Sequence, residues 1–183
     1  MPRSGDEASA GRLRRQPRRR PERIVPPGPG QESVWDYPRP PRVEPAGRPV
    51  RVEFAGRPIA ESVRALRVCE TAGPPCYYIP AGDVRTEYLH VGASESFCEW
   101  KGTARYWTLR HGSLESDDAA WSYPEPFEAF EALRDTYAFY PGRVDACYVG
   151  GERVRAQPGA YYGGWITSDV TGPFKGGPGS EDW

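Results

Sequence analysis

The 183-residue chain carries 24 Lys and Arg against 25 Asp and Glu, with 38% hydrophobic and 13% aromatic residues and 21 each of Gly and Pro. That length suits one domain plus a tail, and aromatics mixed with turn-forming Gly and Pro favour short strands over long helices. No stretch reaches the ~20 apolar residues of a membrane span, and the Arg-rich start leads into no apolar run of the kind a secretory signal needs, so a cytoplasmic protein without membrane contact is expected.

The near-neutral total hides an asymmetry. Met1 to Gln31 holds eight Arg against three acidic residues, a net +5, which leaves −6 for the rest of the formal −1. With Arg18-Arg19-Arg20 and Pro26-Pro27-Gly28-Pro29-Gly30 in it, this segment has too little apolar surface to order itself. Residues 1–30 are expected to be a disordered tail that touches nucleic acid only weakly, through its charge, and 31–183 a single β-rich domain whose order begins at Trp35.

Val50 to Phe54 alternates about its apolar positions, and Ala55-Gly56-Arg57 then turns into Pro58-Ile59-Ala60, a hairpin signal. Ala65 to Glu70 alternates again, and Cys76-Tyr77-Tyr78-Ile79-Pro80 is a short aromatic strand closed by Ala81-Gly82-Asp83. Ser94 to Gly102 has no such pattern and is expected to be a loop, as is the acidic doublet Asp117-Asp118. Thr103 to Leu109 is expected to be a strand, with His90 and His111 in turns. One short helix is predicted near 126–135, where Pro126 suits a first position and Phe127, Phe130, Leu133 and Tyr137 recur near helical spacing. Ala138-Phe139-Tyr140 is a further strand. The expected fold is therefore mainly β: a compact antiparallel domain, small-barrel or sandwich-like.

A degenerate echo runs through the chain. Trp35 to Pro40 matches Trp121 to Pro126, the hairpin at Gly56 that at Gly151, Tyr77-Tyr78 with Asp83-Val84 matches Tyr161-Tyr162 with Asp169-Val170, and Trp100-Lys101-Gly102 matches Phe174-Lys175-Gly176. An internal duplication and chance matching in a Tyr-, Pro- and Gly-rich chain both remain open.

Cys69, Cys76, Cys98 and Cys147 are separated by six, 21 and 48 residues, without the C-x-x-C pair of structural zinc sites. Reduced thiols are expected, and no metal site. Of the 24 basic residues only Lys101 and Lys175 are Lys, a bias that replaces most solvated Lys by Arg and draws attention to those that persist.

Ile59-Ala60-Glu61-Ser62, Glu70, Tyr77-Tyr78-Ile79-Pro80 with Asp83-Val84, Cys98-Glu99-Trp100-Lys101-Gly102, Tyr106-Trp107, Ala119 to Pro124 and Phe139-Tyr140 follow in an order that resembles the family known as domain of unknown function 427. The resemblance marks a family-like core over 48–142 and a C-terminal extension over 143–183, and implies an antiparallel β fold; the family's other label implies a nucleotidyltransferase-like activity. The residues themselves offer no Asp-x-Asp pair after a Gly-Ser turn for the divalent ions such transfer needs.

The expected site gathers Glu70, Tyr78, Asp83, Cys98, Lys101, Tyr106 and Trp121. An ammonium near Cys98 favours thiolate chemistry, against an inert buried thiol, and Glu70 and Asp83 are general bases or ion-pair partners. Lys175, lacking a Cys three residues before it, is expected to be the tolerant counterpart of Lys101. The leading reading is a domain that binds a small molecule, or an enzyme of unassigned reaction; the alternative is an interaction module using the Arg-rich tail and the Pro-rich Trp35 to Pro41 segment. The sequence identifies no cofactor and no oligomeric state.

Overall fold

The computed structural model describes residues 19–183. In chain order the strands are β1 (Glu32–Ser33), β2 (Arg42–Pro45), β3 (Val50–Phe54), β4 (Arg57–Ser62), β5 (Leu66–Cys69), β6 (Cys76–Pro80), β7 (Leu89–Cys98) and β8 (Gly102–His111). They continue as β9 (Leu114–Ser122), β10 (Thr136–Phe139), β11 (Ala146–Val149), β12 (Glu152–Arg153), β13 (Arg155–Ala156), β14 (Trp165–Ile166) and β15 (Val170–Thr171).

A seven-stranded antiparallel sheet runs in the order β2-β5-β6-β10-β9-β8-β7, and a four-stranded one in the order β12-β11-β3-β4. The two small pairs are β1 with β15, which is parallel, and β13 with β14. Both main sheets are open, so the architecture is a two-sheet packing rather than a closed barrel. Their inner faces meet in one core: alternation in β3 sends Val50, Val52 and Phe54 inward and Arg51 outward, and β6, β8 and β10 supply Ile79, Leu109 and Phe139 from the other side.

The smaller sheet carries the part of the echo that is structural. Its two hairpins, β3–β4 and β11–β12, join through their first strands, with Val50 opposite Val149 and Val52 opposite Cys147. Their order about that seam makes a local pseudo-twofold. The rest of the echo has no such equivalence: Tyr78 lies in β6, whereas Tyr162 is in an irregular segment, and Trp121 lies in β9, whereas Trp35 follows β1.

Five expectations change. Ser94 to Cys98 is strand, the last half of β7, because β8 pairs with it residue by residue from Glu95 opposite Arg105 to Cys98 opposite Gly102; on an edge strand that ladder needs no apolar alternation. His90 and His111 accordingly lie in β7 and β8, and Asp117-Asp118 lies in β9, with Asp118 at a left-handed φ of 49°. The predicted helix is a run of 3-10 turns over Glu128–Leu133, kinked at Phe130, which buries Phe130 and Leu133. Order also begins before Trp35: Arg19 N–H donates to Asp182 O, Val25 N–H to Gly172 O, and Ile24 packs against the cluster around Trp35. The remainder of the expected tail, residues 1–18, lies outside the described residues. No helix among the described residues is long and apolar enough to cross a membrane.

Candidate functional site

The seven-stranded sheet has a second face, turned away from the smaller sheet. Alternation that sends Tyr77 and Ile79 of β6 into the main core sends Cys76 and Tyr78 to this face. β8 adds Ala104 and Tyr106, β9 adds Trp121 with Tyr123 just beyond it, and β10 adds Ala138 with Tyr140 just beyond it. A cavity of about 380 Å³ opens over this aromatic floor, a volume within the range of small-molecule sites.

Two loops and a strap make its walls and roof. The three-residue turn Glu99 to Lys101, between β7 and β8, is closed by Cys98 opposite Gly102, and Gly102 takes a φ of 99° that favours glycine. This reversal brings both Cys98 and Lys101 to the cavity wall. Arg39, Glu70 and Thr71 form another edge, where Arg39 Nε lies 3.1 Å from Glu70 Oε1. The strap from Gln157 to Gly164 passes overhead. Gln157 Nε2 donates to Lys175 O at 2.7 Å, Gly164 N–H donates to Gln157 Oε1 at 3.0 Å, and Tyr140 Oη donates to Tyr161 O at 3.0 Å.

Lys101 is 8% exposed, and its Nζ lies 5.9 Å from the centroid of the Tyr123 ring. Among the described residues the Nζ has neither a hydrogen bond nor an ion pair, while the Lys101 carbonyl accepts from Phe127 N–H at 3.1 Å. Burial opposes its charge, but Cys98, Tyr78, Glu70 and Cys76 around it outweigh that and hold its pKa above the ordinary lysine value, so it stays an ammonium at neutral pH. Burial pushes the Tyr78 and Tyr123 phenols up, leaving both as O–H groups. Trp121 Nε1 donates to Tyr78 Oη at 3.1 Å, so the Tyr78 proton is available to a further acceptor, while the Tyr123 hydroxyl has no hydrogen bond among the described residues. Chemically, this is a pocket with an ammonium and two phenolic donors set in aromatic walls.

Six of the seven expected residues line this cavity: Glu70, Tyr78, Cys98, Lys101, Tyr106 and Trp121. Asp83 does not. It sits beside a separate surface groove, bonded to Ser62 Oγ at 2.6 Å and Arg64 Nη2 at 2.5 Å, and those contacts hold its carboxyl below the ordinary value. Glu70 is the ion-pair partner of Arg39 rather than of Lys101. Lys175, expected to be the tolerant counterpart of Lys101, lines the same cavity, with Nζ bonded to Trp183 O at 2.6 Å and 5.3 Å from the Tyr162 ring. Sequence reasoning missed Arg39, Cys76, Tyr140, Tyr161 and Tyr162. Period-two alternation from Tyr78 would have found Cys76; the strap carries no signal of its own. Trp35 and Tyr37, at the head of the Pro-rich segment proposed for partner binding, are buried.

Among the described residues, no three His, Cys, Asp or Glu side chains gather to hold a metal ion. Asp117 accepts instead from Thr108 of β8, and Asp118 from Ser94 of β7. The profile of a family described as a domain of unknown function (DUF427), which also carries the label NTP_transf_9, matches residues 42–150. No curated protein matches the chain. The match takes in the cavity floor and the Lys101 turn, while Arg39, the strap and Lys175 lie outside it.

Proposed function

This chain belongs to the DUF427 family, and we propose that its cavity binds a small acidic molecule with a flat, apolar body. The observation that carries this reading is the Lys101 ammonium, more than nine-tenths buried against the cavity and with no hydrogen bond or ion pair to its Nζ among the described residues. Burial opposes that charge, and an anionic ligand in the cavity would add to the groups that favour it. The lining carries Arg39, Lys101 and Lys175 against Glu70 and Glu99; Arg39 and Glu70 engage each other and Lys175 Nζ bonds to Trp183 O, so Lys101 is the cation that faces an anion. Tyr78 and Tyr123 supply neutral donors to the same group, and Trp121, Tyr106 and Tyr140 supply the faces for its body. Four free thiols suit a reducing compartment and support a cytoplasmic place for the protein.

Thermal melting in the presence of benzoate, benzamide and inorganic phosphate tests the reading. Benzoate should raise the melting temperature of the wild type in a concentration-dependent way, by mass action, while the neutral amide raises it far less. In Lys101→Met, checked for folding by its own melting curve, the difference between acid and amide should vanish. Phosphate stabilising without benzoate would keep the anion and discard the flat body. An identical response of the two proteins, or no response to any of the three, overturns the reading.

A further inference from the structure

We propose that Cys98 is the nucleophile of this cavity, adding to an electrophilic carbon of an acidic ligand whose anion Lys101 holds. The inference rests on the binding reading above and adds a covalent step to it. Cys69 and Cys147 are sealed in cores, 0% and 1% exposed, and lie outside the cavity. Cys76 lines it, but burial pushes its thiol up to about 12, so it stays protonated. Cys98 is half-buried, lines the cavity, and is separated from Lys101 only by Glu99 and Trp100 of the tight turn. The same hairpin closure that aims the ammonium inward therefore sets a sulfur beside it.

The ligand class that fits is a small α,β-unsaturated carboxylic acid. In water its carboxylate makes the alkene a sluggish acceptor, because addition pushes more negative charge onto an anion. Here the Lys101 ammonium and the Tyr123 hydroxyl face that charge, in walls that keep their field strong. In the step, the bond from Cys98 Sγ to the β-carbon forms as the alkene π bond opens. The electron pair moves into the carboxylate-conjugated enolate, and the proton that the thiol gave up ends on the α-carbon. Nothing leaves, and neither an oxidant nor a reductant is required.

Alkylation by iodoacetate and by iodoacetamide, read at each cysteine by peptide mass spectrometry under reducing, native conditions, tests the proposal. Each reagent forms a carbon–sulfur bond and expels iodide; they differ in the charge that Lys101 would recognise. Iodoacetate should label Cys98 in the wild type at least about tenfold faster than iodoacetamide does, the lower end of what a focused charge adds to an encounter rate. Cys69, Cys76 and Cys147 should show no such preference. Benzoate should protect Cys98, and folded Lys101→Met should lose the preference. Cys98 labelled no faster by the acid than by the amide, or an unchanged preference in Lys101→Met, overturns the proposal. If benzoate still stabilises the wild type in that event, the binding reading stands and the nucleophile alone is wrong; if benzoate does nothing, both fall.

Discussion

Gly163 shows how closely one residue can be tied to the cavity. A Cβ built there would lie 2.3 Å and 2.5 Å from Cη2 and Cζ3 of Trp121 and 3.2 Å from the Tyr140 ring. Neither ring has room to retreat, since Trp121 is 6% exposed with its N–H bonded to Tyr78, and Tyr140 is pinned to Tyr161 O and covered by the Arg143 guanidinium 4.4 Å away. The absent side chain is what lets the strap lie on the aromatic floor. Gly163→Ala should therefore cost about 1–3 kcal/mol in urea denaturation, as overpacking does, and should alter tryptophan fluorescence because Trp121 must shift. A variant as stable as wild type would show that the strap moves away at little cost and does not define the cavity.

At the scale of elements, turn chemistry was the most legible part of the sequence. The β3–β4 hairpin closes through Ala55 and Gly56, at φ 54° and 69°, the paired left-handed geometry of a two-residue hairpin turn. Gly56 pays nothing for that conformation, but Ala55 does. Ala55→Asn, which gives the preferred Asn-Gly pair, should stabilise the protein by about 0.5–1 kcal/mol in the same assay; destabilisation would mean that the Ala55 methyl, packed against the main core, matters more than its backbone. The alternating strands β3 and β5 and the short aromatic strand β6 were readable for the same local reason. β7 was not, because Glu95 and Ser96 are held by pairing with β8 across the Glu99 to Lys101 turn, and no apolar alternation in their own segment records it. The 3-10 run at Glu128–Leu133 has helical spacing but ends after two turns, when Thr136 must enter β10 beside Pro80. The site divides in the same way: Lys101 stood out through the scarcity of Lys, and Cys98 through its place three residues before it. Lys175 was marked by the same scarcity, but that it shares the cavity with Lys101, like the places of Tyr140 and Tyr161, follows only from the fold.

Across the whole molecule, charge ties the two ends of the chain to the large sheet. Arg67 of β5 lies 2.9 Å from Glu32 of β1 and 2.6 Å from Glu44 of β2, and β1 in turn pairs with β15 near the C-terminus. Burial works against the charge on both carboxylates, but Arg67, with Tyr37 for Glu32 and Arg42 for Glu44, outweighs it and holds each below the ordinary value of 4.5. Depressed carboxylates contribute stability that is present above 4.5 and is lost as pH falls through their folded values, when the unfolded chain takes up protons the folded one resists. The thiols have the opposite sign. Burial first of all pushes Cys69 and Cys76 from 9.0 up to about 12, so the folded state keeps protons that the unfolded chain releases. Their contribution is complete below 9.0 and drains away as pH rises towards 12, at about 1.4 kcal/mol per pH unit for each thiol. Denaturation midpoints under reductant should therefore form a plateau through neutrality with a fall on both sides. The alkaline fall should begin at the ordinary thiol value of 9.0, before the phenols with an ordinary value of 10.0 take part. Salt should soften the acid limb, whose ion pairs are partly exposed, and leave the alkaline limb unchanged, since burial rather than pairing drives it. A midpoint that holds level from neutrality to pH 10 would show that these thiols are not buried in the folded protein, and with them the closed floor of the cavity would have to be abandoned.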